Sequence, residues 1–229
     1  MLKYIVFAQK YNIAKLEREL SACMDRQWID HFNKKDYNGA WQSIALRSAS
    51  GLETDIYANY GVSAYQDSEL LKQLPYIKSI IDSWCCEKET IRLLALHPGS
   101  EIKPHRDLGC NYKDGTFRLH IPILTNNHVS FTVGGENLKL EPGTCWYIDF
   151  TAEHSIKNEG EDVRVHLVID ALRNEWTDRL FAKHGYNIEE DKDADQIYDD
   201  ATKLQMIAEL ERMDTEVSRK LIADLKKGN

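Results

Sequence analysis

The sequence predicts a mainly β protein with flanking helices, and three observations support this fold class. From Thr90 onward, apolar residues either alternate with polar ones or form short runs, as in strands with one or two buried faces. Glycine and proline turns such as Gly134-Gly135 and Pro142-Gly143 separate these segments. The regions before residue 90 and after residue 170 instead carry apolar residues at helical spacing. Short strands joined by tight turns favour a sandwich or a jelly roll of the cupin type.

The N-terminal region begins with a predicted strand over residues 2–9. Asn12 can then cap a helix, whose apolar stripe consists of Ile13, Leu16, Leu20 and Met24. Residues 42–48 read as a second strand, which ends at the Ser50-Gly51 turn. A helical pattern starts near Ser68 and is broken at Pro75, where a new helix is expected because proline is tolerated in the first helical turn.

The central region supplies most of the predicted strands. Residues 91–96 are largely apolar, as expected for a buried strand. Residues 117–123 alternate, so that Arg118 and His120 lie on the face opposite the apolar residues. Arg164 and His166 share one face of a strand in the same way. The remaining predicted strands cover residues 129–133, 138–140, 145–149 and 163–170.

The C-terminal region is charged and helical in pattern. One helix is predicted over residues 175–184, and two further helices are predicted from apolar stripes, one with Ile197, Ala201, Leu204 and Ile207 and the other with Val217, Leu221 and Leu225. We therefore expect a β domain of residues 1–170 with N-terminal helices, and a helical extension of residues 171–229 that packs on it. A homodimer through the C-terminal helices is a further expectation.

Composition argues against several classes of function. The chain has 229 residues, a net charge of −8 and no block of basic residues, so nucleic-acid binding lacks an electrostatic basis. No apolar run approaches the roughly 20 residues that span a bilayer. The five cysteines are odd in number and form no C-x-x-C pair, which favours a reduced, cytoplasmic protein.

The most informative pattern is His105-x-Asp107 followed by His154. Residues two apart in an extended segment project to the same side, so His105 and Asp107 can reach one metal ion. A third ligand from another strand end, His154, completes a 2-His-1-carboxylate set, which holds Fe(II) and leaves positions open for a chelating cosubstrate and O2. A lone H-x-D occurs often by chance, and it is His154 together with the downstream Arg164 that strengthens the interpretation.

Three arginines are candidate partners for carboxylates. Arg164 lies inside a mainly apolar strand, where an unpaired charge is costly, so a dicarboxylate ligand would stabilise it. The alternative is an internal salt bridge with Asp170 or Glu161. Arg118, with His120 on the same face, forms a second polar pair. Arg47, on a strand with apolar neighbours, is a candidate anchor for the carboxylate of an amino acid, and its alternative is a structural salt bridge.

At these residues the sequence resembles the aspartyl/asparaginyl β-hydroxylase family of Fe(II)/2-oxoglutarate-dependent dioxygenases. The resemblance covers about residues 28–170. It rests on His97-Pro98-Gly99, Pro104-His105-Arg106-Asp107, Arg118-Leu119-His120, residues 142–149, Glu153-His154-Ser155 and Arg164-Val165-His166-Leu167. Residues 41–48 are also similar to bacterial members that act on free amino acids, including proline hydroxylases.

The resemblance implies a double-stranded β-helix core with iron on His105, Asp107 and His154. It also implies 2-oxoglutarate bound to the metal, with Arg164 at its distal carboxylate and Arg118 and His120 helping to hold it. The expected reaction uses O2 to hydroxylate an unactivated carbon of an amino acid, free or in a short peptide, and releases succinate and CO2. Two alternatives stay open: a non-catalytic cupin-like module that binds a metal or small acid, and a zinc or manganese isomerase on the same fold. The isomerase would leave Arg164 unexplained.

Overall fold

The protein is seen in a computed structural model that describes residues 2–58, 64–107 and 109–195, together with residues 204, 207, 208, 210–212, 219 and 222. In chain order the strands are β1 (Tyr4–Lys10), β2 (Ile29–Asp30), β3 (Tyr37–Asn38), β4 (Trp41–Ser48), β5 (Gln66–Asp67), β6 (Lys88–Leu96), β7 (Ser100–His105), β8 (Thr116–Leu124), β9 (Val129–Val133), β10 (Glu136–Leu138), β11 (Thr144–Ile148), β12 (His154–Asn158) and β13 (Arg164–Leu172). The helices are α1 (Ile13–Ser21), α2 (Pro75–Asp82), α3 (Glu175–Lys183) and α4 (Ile188–Asp195).

The described strands form two antiparallel sheets. The larger one has the order β1-β11-β8-β13-β6-β4-β2, with β5 paired to β4, and the smaller one has the order β10-β9-β12-β7-β3. A buried apolar cluster joins the two sheets, with Leu96 and Ile148 from the larger sheet and Ile102, Phe131 and Ile156 from the smaller one. Two sheets around one core form a jelly roll with few flanking helices, which confirms the predicted fold class.

The N-terminal elements largely follow the sequence pattern. The Asn12 side chain accepts a hydrogen bond from the Lys15 backbone N–H at 3.0 Å, which caps α1 as predicted. Met24 was expected on the apolar stripe of this helix, but α1 ends at Ser21 and Met24 is exposed. The helical pattern from Ser68 yields only a single 3-10 turn over Leu71–Gln73, and Pro75 then begins α2 as predicted.

The chain divides into two compact units, residues 1–184 and residues 185–229. The predicted helix over residues 175–184 is present as α3, and it belongs to the first unit because its Phe181 is fully buried and stacks on Tyr112, with ring centroids 3.7 Å apart. The compact division therefore falls after α3, beyond the expected boundary at residue 170. The two further predicted helices, with stripes around Leu204 and Leu221, lie mostly outside the described residues. None of the described helices has the length and apolar character needed to cross a bilayer.

Candidate metal and cosubstrate site

The three predicted metal ligands converge where two neighbouring interior strands of the smaller sheet, β7 and β12, meet at one end. β7 ends at His105 and β12 begins at His154, and the antiparallel register of these strands places the two histidines opposite each other. Asp107 follows two residues later, where its backbone N–H donates to the Phe150 carbonyl at 2.9 Å. One ligand atom from each residue lies within 4.8 Å of the other two. The structure thus brings together three residues from two separate parts of the chain.

Backbone hydrogen bonds orient both imidazoles for metal binding. His105 Nδ1 lies 2.8 Å from the Lys103 carbonyl oxygen, and His154 Nδ1 lies 3.1 Å from the Ala152 carbonyl oxygen. A carbonyl only accepts, so each Nδ1 carries the proton and each Nε2 keeps its lone pair for a metal. Burial lowers the pKa of His154 to about 4, so this ring is neutral at pH 7. Two imidazole nitrogens and one carboxylate oxygen form the donor set that suits Fe(II).

The two carboxylate oxygens of Asp107 have different neighbours. Oδ1 lies 3.5 Å from His105 Nε2, on the side of the other ligands. Oδ2 accepts a hydrogen bond from Arg118 Nη1 at 2.9 Å. Oδ1 is therefore the oxygen available to a metal ion, while Oδ2 is held by a cation.

Arg118 is bound by a second carboxylate as well. Its Nε lies 2.6 Å from Asp170 Oδ1 and its Nη2 lies 3.2 Å from Asp170 Oδ2, while Arg92 Nη2 lies 2.7 Å from the same Oδ2. Burial alone would raise the pKa of Asp170, but Arg118 and Arg92 outweigh it and hold that pKa far below its ordinary value. The sequence predicted Arg118 as a cosubstrate residue, yet the chain itself already binds its guanidinium on two sides.

Arg164, by contrast, has no carboxylate partner among the described residues. Its side chain is buried, Nη2 donates to His166 Nδ1 at 2.8 Å, and no group in the described part of the chain hydrogen-bonds to Nε. The internal salt bridge with Asp170 is not formed, because Asp170 is bound by Arg92 and Arg118. Burial lowers the pKa of Arg164 to about 9, which still leaves the guanidinium charged at pH 7. A buried cation of this kind is stabilised when an anion binds beside it.

The second histidine pair lies beside this cation. His120 Nδ1 is 3.2 Å from His166 Nδ1, and both rings are buried. Burial, reinforced by the charge of Arg164, holds the pKa of each ring well below its ordinary value, so both are neutral. His120 Nε2 is buried without a hydrogen-bond partner among the described residues, which leaves one polar group of His120 for a ligand.

A cavity of about 630 Å³ connects these groups. The metal-ligand set, Arg92, Arg118, His120 and Arg164 all line it, so the expected iron and cosubstrate residues share one space. Its volume lies within the range of roughly 300–1,000 Å³ that is typical of small-molecule sites. An aromatic wall closes part of it, where His31 stacks on Trp41 with ring centroids 3.6 Å apart.

One predicted site residue lies outside the cavity lining, and one residue that was not predicted lies in it. Arg47 is not among the residues that line the cavity; its Nη1 lies 2.6 Å from Asp67 Oδ1 and its Nε donates to the Lys88 carbonyl at 3.2 Å. The structural salt bridge, which the sequence left open as the alternative, is thus formed. Arg92 lines the cavity instead and was missed. Its signal was present, since it is an arginine inside the apolar run of residues 91–96.

A jelly roll with a convergent His-x-Asp and His set and a buried arginine defines a candidate mononuclear metal enzyme of the double-stranded β-helix class. Residues 10–174 match the family model described as "Aspartyl/Asparaginyl beta-hydroxylase". The chain belongs to this family, which confirms the resemblance noted from the sequence.

Similar proteins agree with this assignment. The chain is 27% identical over 166 residues to an L-proline cis-4-hydroxylase of Rhizobium meliloti (strain 1021), a match that covers 70% of this chain and 58% of that relative. The chain thus spans under two thirds of the relative's length. Among solved structures, a 2OG-Fe(II) oxygenase family oxidoreductase from Burkholderia pseudomallei matches with a TM-score of 0.51 and 11% identity, covering 72% of this chain and 82% of that one. HygX from Streptomyces hygroscopicus, solved with nickel and 2-oxoglutarate bound, matches with a TM-score of 0.50 and 8% identity over 76% of this chain and 84% of that one. At these identities the two structures support the fold alone.

Proposed function

We propose that this protein is an Fe(II)/2-oxoglutarate-dependent dioxygenase that hydroxylates an unactivated carbon of an amino acid, free or in a short peptide. In the overall reaction, 2-oxoglutarate, O2 and a C–H bond yield succinate, CO2 and a C–OH group. Residues His105, Asp107 and His154 would hold the iron, which supplies the oxidation chemistry when bound. The chain's own contribution is to bind, orient and exclude water.

One observation carries the proposal: a convergent two-histidine, one-carboxylate set shares its cavity with a buried, unpaired guanidinium. In a module that binds only a metal cation, a buried positive charge in the same cavity would weaken binding of the cation rather than strengthen it. A ligand that chelates a metal at one end and carries a carboxylate at the other satisfies both features, and 2-oxoglutarate is such a molecule. Arg164 can grip the distal carboxylate through paired N–H groups, with His120 beside it.

Three observations support an amino acid as substrate: the size of the cavity, a second buried arginine in its lining, and the substrate named for a similar protein. The cavity of about 630 Å³ has room for a cosubstrate and a small second molecule. Arg92 lines it with a buried Nε that has no hydrogen-bond partner within residues 2–58, 64–107 and 109–195, and this N–H is a donor suited to a carboxylate. The name of the Rhizobium relative identifies it as acting on L-proline. We therefore place free amino acids first in the search for the substrate.

The test is a coupled turnover assay. Anaerobically purified protein is mixed with Fe(II), 2-oxoglutarate and a pool of the twenty amino acids, air is admitted, and succinate is measured together with any product heavier by one oxygen. Equal amounts of succinate and hydroxylated product are expected, and both should vanish when iron is chelated. Succinate without a hydroxylated amino acid would redirect the search to peptides. Absence of both 2-oxoglutarate binding and succinate would overturn the oxygenase and favour the cupin-like binding module.

We also propose a cytoplasmic location. The five cysteines are free, and Cys23, Cys110 and Cys145 are buried as thiols in the core, as expected in a reducing compartment. The homodimer expected from the C-terminal helices involves residues that lie mostly outside those described.

A further inference from the structure

We propose that Arg118 is a positioning residue that holds the Asp107 carboxylate with one oxygen turned to the metal, rather than a residue that binds the cosubstrate. This inference rests on the proposed function, because it gives Arg118 a role toward the iron expected at this site. It follows from which N–H groups of the guanidinium are in use and from which carboxylate oxygens they bind.

The guanidinium of Arg118 is divided between two carboxylates. Its Nε–Nη2 edge binds Asp170 as a fork, with distances of 2.6 and 3.2 Å, and Nη1 turns to Asp107 Oδ2 at 2.9 Å. The paired edge that an arginine normally offers to a ligand carboxylate is therefore occupied. A second carboxylate ligand would have to displace Asp170 from a buried pair, which is costly.

The strand pairing makes this arrangement rigid. Arg118 and Asp170 are direct partners in the register of β8 and β13. Asp170 is held further by Thr90 Oγ1, which donates to Oδ2 at 2.6 Å, and by Arg92. Arg118 therefore cannot rotate independently of the larger sheet, and it is a side-chain contact through which this sheet orients the Asp107 carboxylate, while the backbone of Asp107 is bound at Phe150.

The bond from Arg118 makes the two carboxylate oxygens of Asp107 unequal, so that one of them is turned to the metal position. With Oδ2 bound to Arg118, the carboxylate presents Oδ1, which already lies 3.5 Å from His105 Nε2, toward the metal position. One carboxylate oxygen per metal keeps a facial triad at three protein positions and leaves the others open. The hydrogen bond also confines the rotation of Asp107, whose side chain is about one third exposed (32%) and would otherwise be free to turn.

The experiment compares two arginines close to the same ligand. Arg118→Gln removes the positioning contact. Arg106→Gln removes the same charge from the residue next to Asp107; the exposed guanidinium of Arg106 donates to the Thr151 carbonyl. Each full-length protein is titrated with Co²⁺ alone, and affinity and the visible absorption of the bound ion are recorded. Arg118→Gln is expected to weaken Co²⁺ binding about 10- to 100-fold, as partners of metal ligands usually do, and to change the spectrum because Oδ2 is freed. Arg106→Gln is expected to stay within about twofold, since exposed charges are screened.

Arg118→Lys covers the case in which the glutamine variant does not fold. Lysine keeps the charge beside Asp170, but its single ammonium cannot copy the fork and also hold Asp107, so the same weakening and spectral change are expected. Wild-type affinity and spectrum in the folded Arg118 variants would overturn the positioning role while leaving the proposed function intact. A wild-type protein that binds no Co²⁺ would instead overturn the metal site itself.

Discussion

Arg164 and His166, two residues apart on β13, are joined by a hydrogen bond of 2.8 Å from the guanidinium Nη2 to the imidazole Nδ1. The guanidinium donates to a neutral ring here, and no carboxylate of the described residues neutralises it. Since the carboxylate on the same strand, Asp170, is already bound by Arg92 and Arg118, the cavity keeps a buried positive charge. An anionic ligand is the natural counterion, and the chain can be tested for it directly.

Replacing Arg164 with methionine should weaken the binding of 2-oxoglutarate without lowering the free energy of unfolding. We expect the affinity for 2-oxoglutarate to fall about 10- to 100-fold or more, because charge-assisted hydrogen bonds to the distal carboxylate are lost. The free energy of unfolding should stay the same or rise by about 1 kcal/mol, because the removed charge is buried without a counterion. Calorimetric titration of the metal-loaded protein and urea unfolding measure the two quantities.

The control for this prediction is Arg106→Met, which removes a guanidinium from the exposed rim of the same cavity. It should leave 2-oxoglutarate affinity within about twofold, because an exposed charge acts through screened solvent. Equal losses in both variants would mean that 2-oxoglutarate responds to overall charge and that Arg164 does not bind it.

Replacing Asp107 with alanine should abolish turnover while preserving the fold. The carboxylate would supply one of the three proposed ligand atoms, but the backbone N–H of residue 107 would keep its bond to Phe150, and no buried core packing is removed. We expect loss of succinate formation and of tight Fe(II) binding, with a free energy of unfolding within about 1 kcal/mol of wild type. Asp82→Ala, which removes an exposed aspartate at the end of α2, is the matched control and should retain turnover. Succinate formation by the Asp107 variant at a rate close to wild type would contradict the ligand assignment.

Much of the fold could be predicted from local patterns. Period-two alternation located β8 and β13, and the turn residues Gly134-Gly135 lie between β9 and β10 as expected. β7 and β12 were not predicted, because polar residues occupy buried positions of the alternation, namely Ser100 in β7 and His154 and Asn158 in β12. The prediction that Met24 lies on the apolar stripe of α1 was wrong for a different reason. Its spacing fits the helix, but the helix ends at Ser21, and spacing alone does not determine where a helix ends.

The site was predictable in its ligand types but not in its pairing. The sequence located His105, Asp107 and His154 by motif, and the structure brings them together. It could not show that Asp170 would bind Arg118 rather than Arg164, because that choice depends on the register of β13 against β8. Arg92 was missed although it obeys the rule applied to Arg164, namely that an arginine inside an apolar strand needs a partner.

Arg47 provides a test of a role that the structure does not favour. It lies outside the cavity lining and pairs with Asp67, so Arg47→Met should leave the KM values for 2-oxoglutarate and substrate unchanged. The free energy of unfolding should fall by about 0.5–1.5 kcal/mol, because a partly buried salt bridge and a bond to the Lys88 carbonyl are lost. A raised substrate KM with unchanged stability would reinstate Arg47 as a substrate anchor.

The buried histidine pair predicts how stability depends on pH in the metal-free protein. The folded state lowers the pKa of His120 and of His166 well below the ordinary value, through burial and the charge of Arg164. On unfolding, both rings regain an ordinary pKa of about 6.5 and bind protons that the folded state excludes. Falling pH below about 6.5 therefore favours the unfolded chain, by about 1.4 kcal/mol per pH unit for each ring.

This slope can be assigned to one ring by comparison with His166→Gln, which removes one proton-binding group from the unfolded state. Urea unfolding at pH 7.5, 6.5 and 5.5 should give a wild-type curve that falls more steeply than that of the variant, by about 1 kcal/mol between pH 6.5 and pH 5.5. Asp170 does not contribute to the slope between pH 7.5 and 5.5, because its ordinary pKa of about 3.9 lies below this range and the folded state lowers that pKa further. Parallel curves would mean that His166 takes up its proton in the folded protein as readily as in the unfolded chain. Its bond from Arg164 would then be lost at acidic pH, since a charged imidazole has no acceptor.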